Sequence, residues 1–516
     1  MVFMKLTIKR LDLDAGGKTV VIMNKEDAGE LGVHPLDRII IRNGRHEVSA
    51  VVNVSKDFVE RGKILAYAEV ADHLGLGAER EVDVRRREDL LSKKSIKRKI
   101  QGAKLRDEEI REIIRDVTCH NLNDLEISAF ITALSINGLS TEEIVSLTNT
   151  MSSSGKLLNL GKKRIFDKHS LGGCPGDKTT MLLVPIIAAA GLVIPKTSSR
   201  AITSPAGTAD RFETLAGVSF SVREMERIVR KTNGCIVWGG SLDMAPADDL
   251  FIKIEYPLGL DPLFIPSIMS KKKSVNASHL VIDIPTGRGT KVKTFGEAYE
   301  IASEFMGVGK RIGINTSCGI TFGEQPIGRC IGPMLEAREA LETLMNPVAS
   351  DVTEKACSLA GILLEMAGKG NKQTAYSILR SGKAEKKMRE IIAAQSGNEK
   401  IMPSDICPGD RKLTICSESS GTVMWVKNNC IAEAAKLAGA PKDRAAGIRI
   451  HAKIGERVRK KAPLITLYAS KSSKLAEAEK FIREVRPIEL VENPKSMMPV
   501  TRIEKEKSET YFMLER

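Results

Sequence analysis

Between Lys168 and Thr180 the chain reads Lys-His-Ser-Leu-Gly-Gly-Cys-Pro-Gly-Asp-Lys-Thr-Thr and then turns into an apolar, helix-patterned run. No other stretch constrains the fold as much. Glycines let backbone N–H groups approach an anion, and a helix starting near Thr179 points its positive end at it. Lys168, Ser170, Thr179 and Thr180 add charge and hydroxyl donors. The spacing is not that of a Walker A loop, which disfavours NTP hydrolysis. An isolated Gly-Gly is usually a plain turn, but this density of donors favours phosphate. A second cluster, Ser198-Ser199-Arg200-Ala201-Ile202-Thr203-Ser204-Pro205-Ala206-Gly207-Thr208-Ala209-Asp210, offers another oxyanion-binding surface. By itself it reads equally well as a Ser/Thr-rich loop.

At 516 residues the chain is too long for one core, so about two to four domains are expected. Lys and Arg number 79 against 65 Asp and Glu, a net charge of +14 that favours anionic partners. Six tyrosines and two tryptophans leave few platforms for stacking bases, so nucleic acid is not an expected partner. The most apolar stretch, 181–195, falls short of the roughly 20 residues of a membrane span and contains Pro185. No signal-peptide core opens the sequence. Nine cysteines without a CxxC pair read as free thiols, with no metal site. A cytoplasmic protein without membrane contact is the expectation.

Short β-branched runs over residues 1–87, with a hairpin signal at Asn43-Gly44, predict a small β-barrel. Eight basic residues follow between Arg85 and Lys99, a solvated face in preference to a nucleic-acid arm. Residues 88–162, joined by part of 240–275, predict a helical domain. Its apolar stripe is Leu122, Leu125, Ile127, Phe130, Ile131 and Leu134, and Ser140 opens a capping box. Residues 163–415 alternate short apolar runs, such as Ile282 to Ile284 and Arg311 to Ile314, with helical ones, such as Pro333 to Thr343 and Val352 to Gly368. That indicates a large central α/β domain. Residues 416–516 read as a C-terminal α+β domain ending, after Ser470, in a charged tail that is mobile at its end.

Taken together, Lys168 to Thr180, Ser199-Arg200 and Ala206-Gly207-Thr208-x-Asp210-x-x-Glu213 resemble the thymidine and pyrimidine-nucleoside phosphorylase family. Pro246 to Asp248, Ser267 to Lys272, Asp283 to Gly289, Gln325 to Gly328 and Gly447 to Leu467 each resemble a further element, covering about residues 88 to 468. The resemblance implies a helical domain, a larger α/β domain and a substrate cleft between them. It also implies a reaction in which inorganic phosphate displaces a nucleobase from a ribosyl carbon, with no cofactor and at least a homodimer. Lys168, His169, Ser170, Thr179, Thr180 and Ser198 fall on phosphate-binding positions, some conservatively replaced or shifted by an extra residue at Cys174-Pro175. Gly173, Ser199, Arg200, Ala201, Ile202, Thr203, Ser204, Thr208, Ser267, Lys271 and Lys291 carry over as substrate-binding positions. Asp261 carries over as the proton donor to the leaving base, with His169 as its competitor. Lys271 follows Ser267 by four residues, one face of a helix; a solvated basic turn over Lys271 to Lys273 is the alternative.

Three departures change the expected substrate. The pyrimidine-reading arginine is replaced by Ile254, the loop from Asp261 to Ser267 is two residues shorter, and Gly287-Arg288-Gly289-Thr290 ends on Lys291 where the family has an apolar residue. With the added N-terminal segment, these features resemble the archaeal-type AMP phosphorylase branch. That branch turns a nucleoside 5′-monophosphate and phosphate into free base and ribose 1,5-bisphosphate. The choice among AMP, CMP and UMP stays open. Competing readings are a nucleoside phosphorylase indifferent to the 5′-phosphate, an enzyme similar to anthranilate phosphoribosyltransferase, for which no acidic pair is placed, and an RNA-binding protein.

Overall fold

Period-two burial along short β-branched strands closes the N-terminal segment into a barrel. The computed structural model describes residues 4–87, 90–161, 164–201 and 204–492. Strands β1 (Met4–Arg10), β2 (Val20–Asn24), β3 (Arg38–Asn43), β4 (His46–Ser55), β5 (Lys63–Ala66) and β6 (Arg80–Arg86) pair in the closed order β1-β5-β2-β4-β3-β6. In β4, Val48, Ala50 and Val52 alternate inward and are buried, as a strand with one dry face requires. Asn43-Gly44 forms the expected hairpin: Asn43 pairs with His46, and Gly44 has φ 59°. Helices α1 (Lys25–Leu31) and α2 (Ala68–His73) add Ala28, Leu31, Val70 and Ala71 to the barrel core.

Four helices follow, α3 (Leu91–Ile100), α4 (Asp107–Thr118), α5 (Asp124–Asn137) and α6 (Thr141–Ser153). Ser140 and Glu143 make the expected capping box, each side chain accepting from the other's backbone N–H. Ile127, Phe130, Ile131 and Leu134 of α5 are buried at i, i+3, i+4 and i+7. Leu125, expected on that stripe, is 80% exposed. It lies two residues before Ile127, about 200° around the helix, so it faces away. Leu122 is buried but precedes the helix. The basic run is divided between β6 and α3 and paired, Lys93 with Glu126 at 2.6 Å, Arg98 with Glu109, and Lys99 buried on Glu143 at 2.7 Å.

Among the described residues, those in 1–162, 239–278 and 304–316 form one compact unit and the rest a second. The first therefore includes two later helices, α10 (Pro246–Leu258) and α11 (Phe264–Ser274), whose Phe251 meets Phe130 with ring centroids 6.1 Å apart.

In the second unit, β7 (Phe166–Ser170) pairs in parallel with β10 (His279–Thr286), which pairs with β11 (Asn315–Phe322). A parallel pair, β8 (Ile194–Ser198) and β9 (Gly234–Trp238), joins through an Ile165–Val193 bridge. Parallel strands need crossover connections, supplied here by α7 (Thr179–Ala189), α8 (Thr208–Phe212) and α9 (Val222–Thr232); α12 (Phe295–Ile312), whose residues from 304 on belong to the first unit, leads from β10 to β11. Helices α13 (Pro333–Met345), α14 (Asp351–Ala367), α15 (Lys372–Arg380) and α16 (Lys383–Ala394) complete it. The core forms around α7, whose Leu182, Leu183, Ile186 and Ile187 cluster with Ala356, Leu359 and Leu363 of α14. Arg311 to Ile314, expected as a strand, is instead the end of α12. Gly313 takes φ 80° and the Ile314 N–H donates back to Gly309 O at 2.9 Å, a helix-terminating motif that only a left-handed residue allows.

The C-terminal lobe has strands β12 (Cys330–Ile331), β13 (Arg411–Cys416), β14 (Gly421–Val426), β15 (Gly447–Ile450), β16 (Arg457–Val458), β17 (Pro463–Ala469) and β18 (Ile488–Val491), with α17 (Asn428–Leu437). Its sheets run β12-β15-β17-β13 and β16-β14-β18. The charged segment expected to be a tail contains a helix, α18 (Ser472–Val485), because Ala478 and Ile482 recur at i and i+4 and bury against the lobe. The end of that tail lies outside the described residues. No described helix is long and apolar enough to cross a membrane, and all nine cysteines are free.

Candidate active site

Strand β7 delivers Lys168, His169 and Ser170 to the start of the glycine loop. Alternation puts Lys168 and Ser170 on one face and His169 on the other. Lys168 is buried, while His169 and Ser170 are half-buried. The loop then turns on Gly172, Gly173 and Gly176, with φ of 76°, 85° and 78°, values that side chains rarely tolerate. It leads into α7, where Thr179 and Thr180 are buried. The Thr179 N–H donates to Asp177 Oδ1 at 3.2 Å, whereas its hydroxyl oxygen is buried without a hydrogen-bond partner.

Behind the loop lies a buried charge set. Ser170 Oγ donates to Asp283 Oδ2 at 2.7 Å and Thr321 Oγ1 donates to Asp283 Oδ1 at 2.6 Å. Lys168 Nζ is 3.7 Å from Asp283 and 3.9 Å from Asp177. Lys355, from α14, is 2.8 Å from Asp283 and 3.5 Å from Asp177. Burial disfavours the charge on Asp177, but Lys355 and Lys168 outweigh it and hold the carboxyl well below its ordinary value. A neighbouring pair holds the loop's far end: Lys178 Nζ bonds Glu339 at 2.6 Å and the Ile327 carbonyl at 2.9 Å. The Gln325 to Gly328 element sits against the loop, with Ile327 N–H donating to Pro175 O at 2.9 Å.

The glycine loop also meets the loop bearing Lys291. A β-carbon on Gly173 would lie 2.7 Å from Lys291 N and 3.1 Å from Thr290 Cα. Lys291 itself is exposed. Its loop is clamped by Arg288, whose Nε donates to Glu324 at 2.7 Å and whose guanidinium lies 4.3 Å over the Trp425 ring.

In the second donor cluster, side chains make contacts within the loop and to its neighbours. Ser198 ends β8, its hydroxyl donating to Val237 O at 3.0 Å. Arg200 holds Glu213 by two hydrogen bonds of 2.6 and 2.9 Å, bonds Asp210 at 3.2 Å, and lies 4.9 Å over Trp238. Its guanidinium therefore braces the loop. Asp210 Oδ2 accepts from Ala201 N and Gly207 N at 2.7 and 2.9 Å, folding Ser199, Ala201 and Ser204 around Gly207, where a β-carbon would strike Ser199 O at 2.6 Å. Thr208 opens α8 and its hydroxyl accepts from Arg211 at 3.4 Å. Ile202 and Thr203 lie outside the described residues.

Asp261, Ser267 and Lys271 belong to the first unit. Asp261 follows α10, whose chain turns at Gly259 with φ 65°. Ser267 and Lys271 both lie in α11, so the segment is helical as expected and not a basic turn. Lys271 Nζ contacts Asp248 at 2.5 Å; burial opposes its charge, and Asp248 outweighs that and raises it. Glu255, from α10, is 5% exposed, and burial together with the charge of Asp261 pushes its carboxyl up to about 7.

Sequence reasoning assigned no role to Lys355, Asp177 or Glu255. One signal for Lys355 was available: it lies three residues after Val352 and four before Leu359, both buried on the apolar face of α14. A lysine on such a stripe is costly unless paired.

Comparisons with known proteins identify the family. Residues 93–155 match the helical bundle domain of a glycosyl transferase family, 162–385 its a/b domain, and 422–489 the C-terminal domain of pyrimidine nucleoside phosphorylases. These matches and the fold define a glycosyl transferase of the nucleoside phosphorylase class. The AMP phosphorylase of Thermofilum pendens is 47% identical over 94% of this chain and 95% of its own, and that of Thermococcus kodakarensis is 46% identical over 94% and 98%. This chain belongs to the AMP phosphorylase family. Among solved structures, anthranilate phosphoribosyltransferase from Thermus thermophilus shares the fold, with TM-score 0.50 and 18% identity over 59% of this chain and 99% of that one.

Proposed function

We propose that this chain catalyses the phosphorolysis of AMP, with inorganic phosphate displacing adenine from C1′ to give ribose 1,5-bisphosphate. The contact between Gly173 and Lys291 carries the reading. It sets an anion cradle beside a loop bearing a lysine, and the reaction needs two phosphoryl groups held together. The relatives named AMP phosphorylase support the nucleotide over the nucleoside. CMP and UMP are the other substrates to try.

The attacking phosphate oxygen forms a bond to C1′ as the bond to the base nitrogen breaks. The electron pair of that bond leaves with the base, which takes a proton. Asp261 gives that proton in this reading. Asp261 bears the charge that, with burial, raises Glu255 to about 7, so the proton Asp261 gives is one it takes over from the Glu255 carboxyl, and the pair shares it near neutral pH. Lys168, Thr180 and the N–H groups of the glycine loop hold the attacking anion, while Lys291 reads the 5′-phosphate. His169, Ser198, Thr208, Ser267 and Lys271 orient the substrate. The same reading places the enzyme in the cytoplasm, where nine free thiols stay reduced, and assembles it at least as a homodimer, which sedimentation would test.

The deciding experiment supplies phosphate with AMP or with adenosine and follows adenine and the sugar product. Adenine and ribose 1,5-bisphosphate from AMP are the expected result. Release from adenosine at an equal rate would return the chain to the nucleoside branch.

A further inference from the structure

Lys355 is buried to 5% side-chain exposure, and Lys168, Asp177 and Asp283 around it to 2%, 10% and 0%. Its ammonium takes the nearer place on both carboxylates: 2.8 Å against 3.7 Å for Lys168 at Asp283, and 3.5 Å against 3.9 Å at Asp177. Two ammoniums and two carboxylates make a neutral set. Remove Lys355, and Lys168 is left alone between two carboxylates, with a net negative charge facing any incoming anion. In a buried setting that repulsion is weakly screened.

We propose that Lys355 is a positioning residue for inorganic phosphate, satisfying Asp283 and Asp177 so that Lys168 remains available to the attacking anion. Asp283 also receives Ser170 and Thr321 at 2.7 and 2.6 Å, so fixing this carboxylate fixes the Ser170 hydroxyl at the mouth of the glycine loop. Asp177 and Asp283 hold the Lys355 ammonium above its ordinary value although burial opposes it, so it stays charged at any working pH. The inference rests on the reading that the Lys168 to Thr180 loop binds phosphate.

The test titrates the full chain with inorganic phosphate alone, by calorimetry, in wild type, Lys355→Met, Asp177→Asn and the double variant. Lys355→Met weakens phosphate binding about tenfold or more, as expected for breaking a buried charge pair. The double variant, with charge balance restored, returns to within about threefold of wild type. Unchanged binding in Lys355→Met overturns the proposal, and so does a double variant as weak as Lys355→Met. Should Lys355→Met not fold, Asp177→Asn alone decides, since one carboxylate fewer must tighten phosphate binding; unchanged or weaker binding overturns the proposal. Wild-type protein that binds phosphate but releases no adenine from AMP would sink the AMP reading and leave Lys355 standing. Wild-type protein that binds no phosphate would sink both.

Discussion

Gly173 and Lys291 touch through their backbones: a β-carbon on Gly173 would sit 2.7 Å from the Lys291 amide nitrogen, and Gly173 itself has φ 85°. Gly173→Ala therefore combines a left-handed backbone with a steric conflict against backbone that only a shift of one loop relieves. The expected outcome is a stability loss of about 1–3 kcal/mol and a drop in kcat/KM for AMP of about tenfold or more. Denaturant unfolding and steady-state kinetics read the two effects separately.

Lys291→Ala should remove a charge-assisted contact to the 5′-phosphate. We expect kcat/KM for AMP to fall by about 10- to 100-fold, with adenosine turnover changed by less than about threefold. Equal losses with both substrates would assign Lys291 a structural part only.

Asp261→Asn should lower kcat by about 100-fold or more and leave the affinity for AMP close to wild type, the pattern of a group needed in the transition state. If kcat holds, the proton comes from elsewhere, and His169→Asn is the next variant to measure.

Glu255 makes stability depend on pH in a defined direction. Its carboxyl titrates near 4.5 when unfolded and at about 7 when folded. Between those values the folded state binds the extra proton, so this contribution is fully present below pH 4.5 and is lost as pH rises through about 7. It is of order 3 kcal/mol. Glu255→Gln should match wild type near pH 5 and exceed it in Tm at pH 8. Thermal melts across that range that run parallel for the two proteins would refute the assignment.

Local rules carried a large part of this fold. The Asn43-Gly44 hairpin, the Ser140 capping box, the helix at Thr179 and the glycine cradle all follow from backbone preferences and spacings of two to four residues. Where several such signals compete, local reading failed. Arg311 to Ile314 has strand-forming residues, yet it ends a helix because Gly313 supplies a left-handed stop. The charged residues after Ser470 hide Ala478 and Ile482, whose burial makes a helix of the segment.

The site divides in the same way. The residue types and order from Lys168 to Thr180 and from Ser198 to Asp210 were enough to single out these two loops, because glycine freedom and donor density are local properties. Arg200 shows the limit: its charge suggested an anion ligand, and the structure commits it to Glu213 and Asp210. The barrel, the helical and α/β segments, and the left-handed turns of the glycine loop are all written in short-range residue order. That Gly173 meets Lys291, that Lys355 pairs with Asp177 and Asp283, and that burial and Asp261 raise the Glu255 carboxyl emerge only once the chain is folded. Those facts depend on which distant side chains share a buried, weakly screened space, and no periodicity in a chain encodes that.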